Sequence, residues 1–140
     1  MKRSFLPALL LLLFTAISAL AAPKRIIIDT DPGTDDALAI LLALNSPEVQ
    51  VQAITVVPGN VTAEMGLQNA LKLATLANRC DIPVAGGAQH PLAQKLITAE
   101  FWHGKNGLAN VELPTRCQAD PRFGPDLIIQ LVHKYPHHIT

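Results

Sequence analysis

Four carboxylates fall within eight residues of this 140-residue chain, in the string Ile28-Asp29-Thr30-Asp31-Pro32-Gly33-Thr34-Asp35-Asp36. Carboxylates this close repel one another, and a hard cation coordinated by oxygen relieves the repulsion. Pro32-Gly33 is a tight-turn pair, so it folds the two Asp pairs toward a common point. An Asp pair at a helix start also serves as a cap, worth about 0.3–1 kcal/mol. Four carboxylates around one turn point instead to a metal site. The loop is not an EF-hand, because Ile40 stands where the closing glutamate belongs.

The elements around this turn read as an alternation of strand and helix. Arg25-Ile26-Ile27-Ile28 is a β-branched run suited to a strand buried on both faces. Asp35 to Asn45 has strong helix formers, acidic residues in its first turn and Pro47 just beyond its end. Val49 to Val57 reads as a second strand ending at Pro58-Gly59. Thr62 caps a helix predicted to run to about Arg79, with Leu67, Leu71, Ala74 and Ala77 at helical spacing. Ile82 to Ala85 gives a third strand, residues 88–123 form a long loop region, and Pro125 to Tyr135 a last helix with proline in its first turn. Strands separated by helices require crossover connections, hence an α/β fold with a parallel sheet flanked by helices. The aspartate turn then lies at the carboxyl end of the first strand, where open α/β sheets bind their ligands.

Composition narrows the function classes. The chain has 49% apolar residues and equal numbers of basic and acidic side chains, and without its first 22 residues the formal charge is −2. No basic face for nucleic acid is therefore expected. Lys2-Arg3, the apolar stretch to Leu20 and the small residues Ala19-Leu20-Ala21 read as an export signal over residues 1–21, cleaved after Ala21. The competing reading is a retained membrane anchor, which Pro7, Thr15 and Ser18 interrupt. The mature protein is expected to be periplasmic or secreted and free of the membrane. An oxidising compartment permits a bridge between Cys80 and Cys117, and spacing alone leaves that pairing open. Neither cysteine has a CxxC companion, so no zinc site is expected.

The string IIIDTDPGTDDALAILLAL resembles the N-terminal signature of the inosine-uridine nucleoside hydrolase family, and Val56-Val57-Pro58-Gly59-Asn60 and His103-Gly104-Lys105-Asn106-Gly107-Leu108 agree with it. Family members often carry Asp where this chain has Asn106. The resemblance implies a Rossmann-like fold, a bound Ca2+ and hydrolysis of the N-glycosidic bond of ribonucleosides. It implies Asp31 and Asp36 as calcium carboxylates and Asp31 as the general base acting on a calcium-bound water. It further implies Asp35 as a ligand of ribose hydroxyls and Asn60 as a ribose-pocket amide. Asn60 by itself is an ordinary turn residue after Pro-Gly. His103, next to Phe101-Trp102, is read as a contact to nucleobase or sugar, against a surface histidine beside a packed Trp. Asp29 is read as structural, holding the loop by hydrogen bonds.

The resemblance also implies that residues 22–140 are the N-terminal portion of a nucleoside hydrolase-like domain. Ile139-Thr140 reads as the start of a further strand, and family members continue past this point with more calcium ligands and sugar contacts. The chain alone is therefore expected to be inactive. Self-association into a homo-oligomer is left open. Two other classes compete: a secreted module that binds sugar or Ca2+ without turnover, and a phosphatase of the haloacid dehalogenase type using Asp29 and Asp31, which Pro32 and Asp35-Asp36 fit poorly.

Overall fold

A computed structural model describes residues 22–140, so the expected export signal lies outside the described residues. Three strands, β1 (Lys24–Thr30), β2 (Val49–Val56) and β3 (Val84–Gly86), form one parallel sheet in the order β1-β2-β3. Helix α1 (Thr34–Asn45) links β1 to β2, and α2 (Ala63–Leu76) links β2 to β3. A single turn, α3 (Glu100–His103), lies within the long loop region, and α4 (Gly124–Lys134) follows it.

Both helical crossovers cover one face of the sheet. Ile40 and Leu44 of α1, Val51, Ile54 and Val56 of β2, and Leu71 and Leu73 of α2 form the main core there. On the other face, Leu127 of α4 packs with Ala53 and Ala85, and Ile27 joins them. The sheet is thus sandwiched between helices, as βαβ connections require. Among the described residues no helix is long and apolar enough to cross a membrane.

Pairing extends by one residue at each edge. Ile139 bridges Arg25 in parallel, with Ile27 donating to the Thr140 carbonyl at 3.0 Å, and Asp120 bridges Ala85 on the far side. The β1–β2 register passes from Ile26↔Val51 to Ile27↔Ala53, leaving Gln52 as an extra residue in a bulge.

Element ends follow local chemistry. The Thr62 hydroxyl accepts the Met65 N–H at 3.3 Å and starts α2. That helix stops at Leu76, short of Arg79, because the chain turns left-handed at Asn78 (φ 57°). β3 begins at Val84 rather than Ile82, since Pro83 has no N–H for the ladder, although its carbonyl accepts the Ile54 N–H at 3.0 Å. Cys80 and Cys117 form a disulfide with Cα atoms 5.0 Å apart. It closes residues 81–116, including β3, α3 and most of the irregular region, into one covalent loop.

Candidate active site at the strand ends

The carboxyl ends of β1 and β2 bring three segments together: the aspartate turn, the Pro58-Gly59-Asn60 turn and the loop following α3. Gly33 is the N-cap of α1, which puts Thr34, Asp35 and Asp36 in its first turn. Asp36 reaches back and accepts the Gly33 N–H at 3.1 Å, so it does serve as a cap. The same carboxylate accepts the Thr30 hydroxyl at 2.6 Å and the Asn60 side-chain amide at 3.0 Å. Asp31 accepts the Asn60 backbone N–H at 2.7 Å. Asn60 therefore ties both carboxylates, one through its backbone and the other through its side chain.

The approach of the second turn to Asp31 is very close. A Cβ built on Gly59 would lie 2.0 Å from Asp31 Oδ2, so only glycine fits at that position without moving the carboxylate. Asp29, on the face that α4 covers, instead accepts the Thr55 hydroxyl of the neighbouring strand at 2.6 Å. It ties β1 to β2 and stands apart from the Asn60 cluster.

Asp35 points outward, with 81% of its side chain exposed. His103 lies over the start of α1: its Nδ1 accepts the Thr34 N–H at 3.2 Å and stands 3.7 Å from Asp35 Oδ1. Nδ1 cannot accept the backbone N–H and carry a proton toward Asp35 at once. The shorter, directed contact uses Nδ1 as an acceptor, which leaves Nε2 as the nitrogen facing outward. Phe101 and Trp102 are both largely exposed and meet edge to face, with centroids 5.1 Å apart. Trp102 is thus not packed away, as the bland reading of this stretch required.

The loop that carries His103 is built from left-handed residues, Gly104, Gly107, Ala109 and Asn110. Asn106 organises it. Its Oδ1 accepts the N–H groups of Leu108 and Asn110, each at 2.9 Å, while its amide donates to the Val111 carbonyl at 3.0 Å. A carboxylate could accept the first two bonds but could not donate the third.

The donors available to a cation are hard oxygens. Asp36 has three of its lone-pair positions occupied by hydrogen bonds, whereas Asp31 has one. Among the described residues no three His, Cys, Asp or Glu side chains converge as a metal-binding set. Asp31 and Asp36 thus suit part of an oxygen-coordinated site and do not complete one. The resolved acidity shifts lie outside the site: hydrogen bonding to Arg79 lowers Asp81, and hydrogen bonding to Arg122 holds Asp120 at about 2.

A family model described as inosine-uridine preferring nucleoside hydrolase matches residues 26–140. The chain belongs to this family. It is 53% identical over 100 residues to the pyrimidine-specific ribonucleoside hydrolase RihA of Escherichia coli (strain HS among others), covering 71% of this chain and 30% of RihA. Among solved structures, the plant nucleoside hydrolase PpNRh1 superposes with a TM-score of 0.77 at 45% identity, covering 84% of this chain and 38% of that one. A purine-preferring ribonucleoside hydrolase from Gardnerella vaginalis gives 0.77 at 36% identity, covering 83% and 38%. The chain thus spans about a third of the length of these nucleoside hydrolases. Neither Thr30, Thr34 nor Asn69 carried a role in the sequence, and Gly59 stood there only as part of the Val56-Val57-Pro58-Gly59-Asn60 motif. Asn69 alone left a signal, as an amide placed by helical spacing on the apolar face of α2.

Proposed function

We propose that the protein to which this chain belongs hydrolyses the N-glycosidic bond of ribonucleosides, giving ribose and free base. The observation that carries this reading is the Asn60 clamp on Asp31 and Asp36 at the carboxyl ends of β1 and β2. In this mechanism Asp31, whose second oxygen meets no donor among the described residues, takes a proton from the attacking water. That water adds to C1′ while the bond to the base nitrogen breaks and its electron pair leaves with the base. The oxocarbenium character at C1′ is stabilised by the adjacent carboxylates. Asp35, exposed at the rim, receives ribose hydroxyls, and Asn60 borders the sugar from the opposite turn. His103 presents Nε2–H toward sugar or base, with its ring held by the Thr34 N–H.

Asp31 and Asp36 are proposed to hold Ca2+; when bound, the ion would supply positive charge that offsets the paired carboxylates and eases deprotonation of the attacking water. Two carboxylates supply few of the six to eight oxygens that Ca2+ takes, so the 140-residue chain by itself is proposed to be inactive. The phosphatase alternative loses its support, because the family match covers the aspartate turn and Asp29 is engaged with Thr55. We further propose that residues 1–21 are a cleaved export signal, leaving residues 22–140 as the N-terminal portion of the hydrolase domain in the periplasm or outside the cell. The Cys80–Cys117 disulfide supports an oxidising destination.

The test is ribose release from inosine and from uridine by the whole protein, with and without a calcium chelator. Turnover abolished by chelation and by Asp31→Ala is expected. Phosphate release from a phosphomonoester without nucleoside cleavage would overturn the reading.

A further inference from the structure

Asn69 is 1% exposed, an amide buried in the middle of α2 among Gly66, Ala70 and Leu73. Burying an amide without partners is unfavourable, so its bonds identify what it holds. Nδ2 donates to two carbonyls, Pro32 at 3.3 Å and Asn106 at 2.8 Å, both of them 37 residues away along the chain, in opposite directions. Neither carbonyl belongs to a helix or strand. One lies inside the aspartate turn, between Asp31 and Gly33. The other lies in the loop that carries His103.

Packing at the same point leaves no room for a side chain on Gly107. Gly107 has φ 76°, and a Cβ there would lie 2.6 Å from Val61 Cγ1 and 2.9 Å from Asn69 Nδ2. The backbone of the His103 loop is therefore seated directly on the Asn69 amide. Two further contacts join the same segments at the surface of this seat: the Thr34 hydroxyl to the Gly107 carbonyl at 3.5 Å, and the Thr34 N–H to His103 at 3.2 Å.

We propose that Asn69 is a positioning residue that sets the distance between the aspartate turn and the His103 loop. It makes no hydrogen bond to Asp31 or His103 and acts through two backbone carbonyls, that of Pro32 next to Asp31 and that of Asn106 three residues beyond His103. The inference rests on reading these two segments as one site, but its readouts need no turnover, so it stands or falls separately from nucleoside hydrolysis.

The experiment compares Asn69→Ala and Asn69→Asp with Leu73→Ala, a truncation on the same helix in the core that includes Leu108, which removes packing but no hydrogen bond to either segment. Amide hydrogen exchange is followed at Gly107, Leu108 and Ala109, normalised to exchange at β2. Both Asn69 variants are expected to raise loop exchange at least tenfold above the Leu73→Ala level, because the loop loses its seat while the sheet does not. The 15N signal of His103 Nδ1 should move toward that of a free imidazole in the Asn69 variants alone. Loop exchange and a His103 signal equal to those of Leu73→Ala would reduce Asn69 to core packing and overturn the proposal. If the variants do not fold, the wild-type chain decides: the Asn69 side-chain amide protons must exchange together with the loop amides, and rates differing by more than tenfold overturn it.

Discussion

Reducing the Cys80–Cys117 bridge should weaken the fold by an amount that can be worked out in advance. The two residues are separated by 37 positions, and in the chain-entropy model closing a loop of that length removes unfolded-state entropy worth about 4 kcal/mol at 25 °C. Against a typical domain stability of about 5–15 kcal/mol, that is a large share. In Cys80→Ser/Cys117→Ser the native side of the balance changes little, because the buried position 117 keeps the Thr75 hydroxyl as a hydrogen-bond partner. With a urea m-value of about 2 kcal/mol/M, the midpoint should fall by roughly 2 M. The assay is urea unfolding followed by circular dichroism, for the oxidised chain, the chain in reductant and the double variant. Reductant should shift the first sample and leave the variant unmoved. A midpoint shift below about 0.3 M would refute the reasoning, by showing that residues 81–116 are equally constrained with the bridge open.

Three shorter predictions concern the site, the acid limb and the N-terminus. Gly59→Ala places a methyl group on Asp31 and should break its bond from Asn60, lowering kcat of the whole protein by about a hundredfold, as expected for a misplacement of about 1 Å; ribose release measures it. Asp120, held at about 2 by its hydrogen bond from Arg122, contributes stability that is present above the usual carboxylate range and is lost as pH falls from about 4 toward 2. Because Arg122 is itself 41% exposed, solvent screening limits this to about 1 kcal/mol, and Asp120→Asn should flatten that limb of an acid melt. N-terminal sequencing of the natural product should begin at about Ala22, and an intact Met1 would contradict export.

Much of the fold was legible because its signals are local. The β-branched run of β1, the Thr62 cap and Pro125 at the start of α4 each act within a few residues, and each marks an element that the structure contains. The parallel arrangement followed from alternation alone. What was not legible depends on contacts between distant segments. The disulfide needs Cα positions that spacing does not supply, and the seat made by Asn69 needs two loops to arrive at one helix position. The α3 turn in the long loop is four residues, too short for a periodic pattern to show. At the site, the aspartate turn was visible as a density of charge, whereas the clearance that Gly59 provides for Asp31 is a property of three-dimensional proximity and leaves no mark on the sequence.

The extra residue in β2 has a consequence for how this chain can vary. Val51 and Ile54 both enter the core on the side of α1 and α2, although a regular strand would turn residues three apart to opposite faces. Gln52 absorbs the mismatch. Helix packing constrains both sides of it, through Val51 upstream and Ile54 and Val56 downstream, and downstream Thr55 must also meet Asp29 and Asn60 must meet Asp31. Deleting Gln52 would make Val51 and Ala53 consecutive opposite Ile26 and Ile27, restoring a regular ladder with Thr55 still opposite Asp29 and the Pro58-Gly59-Asn60 turn unmoved. The bulge thus marks the one step at which β2 carries a residue that β1 does not match. β2 can therefore lose this one residue and keep its register, whereas a deletion between Ala53 and Val56 would take Thr55 off Asp29 and draw Asn60 away from Asp31.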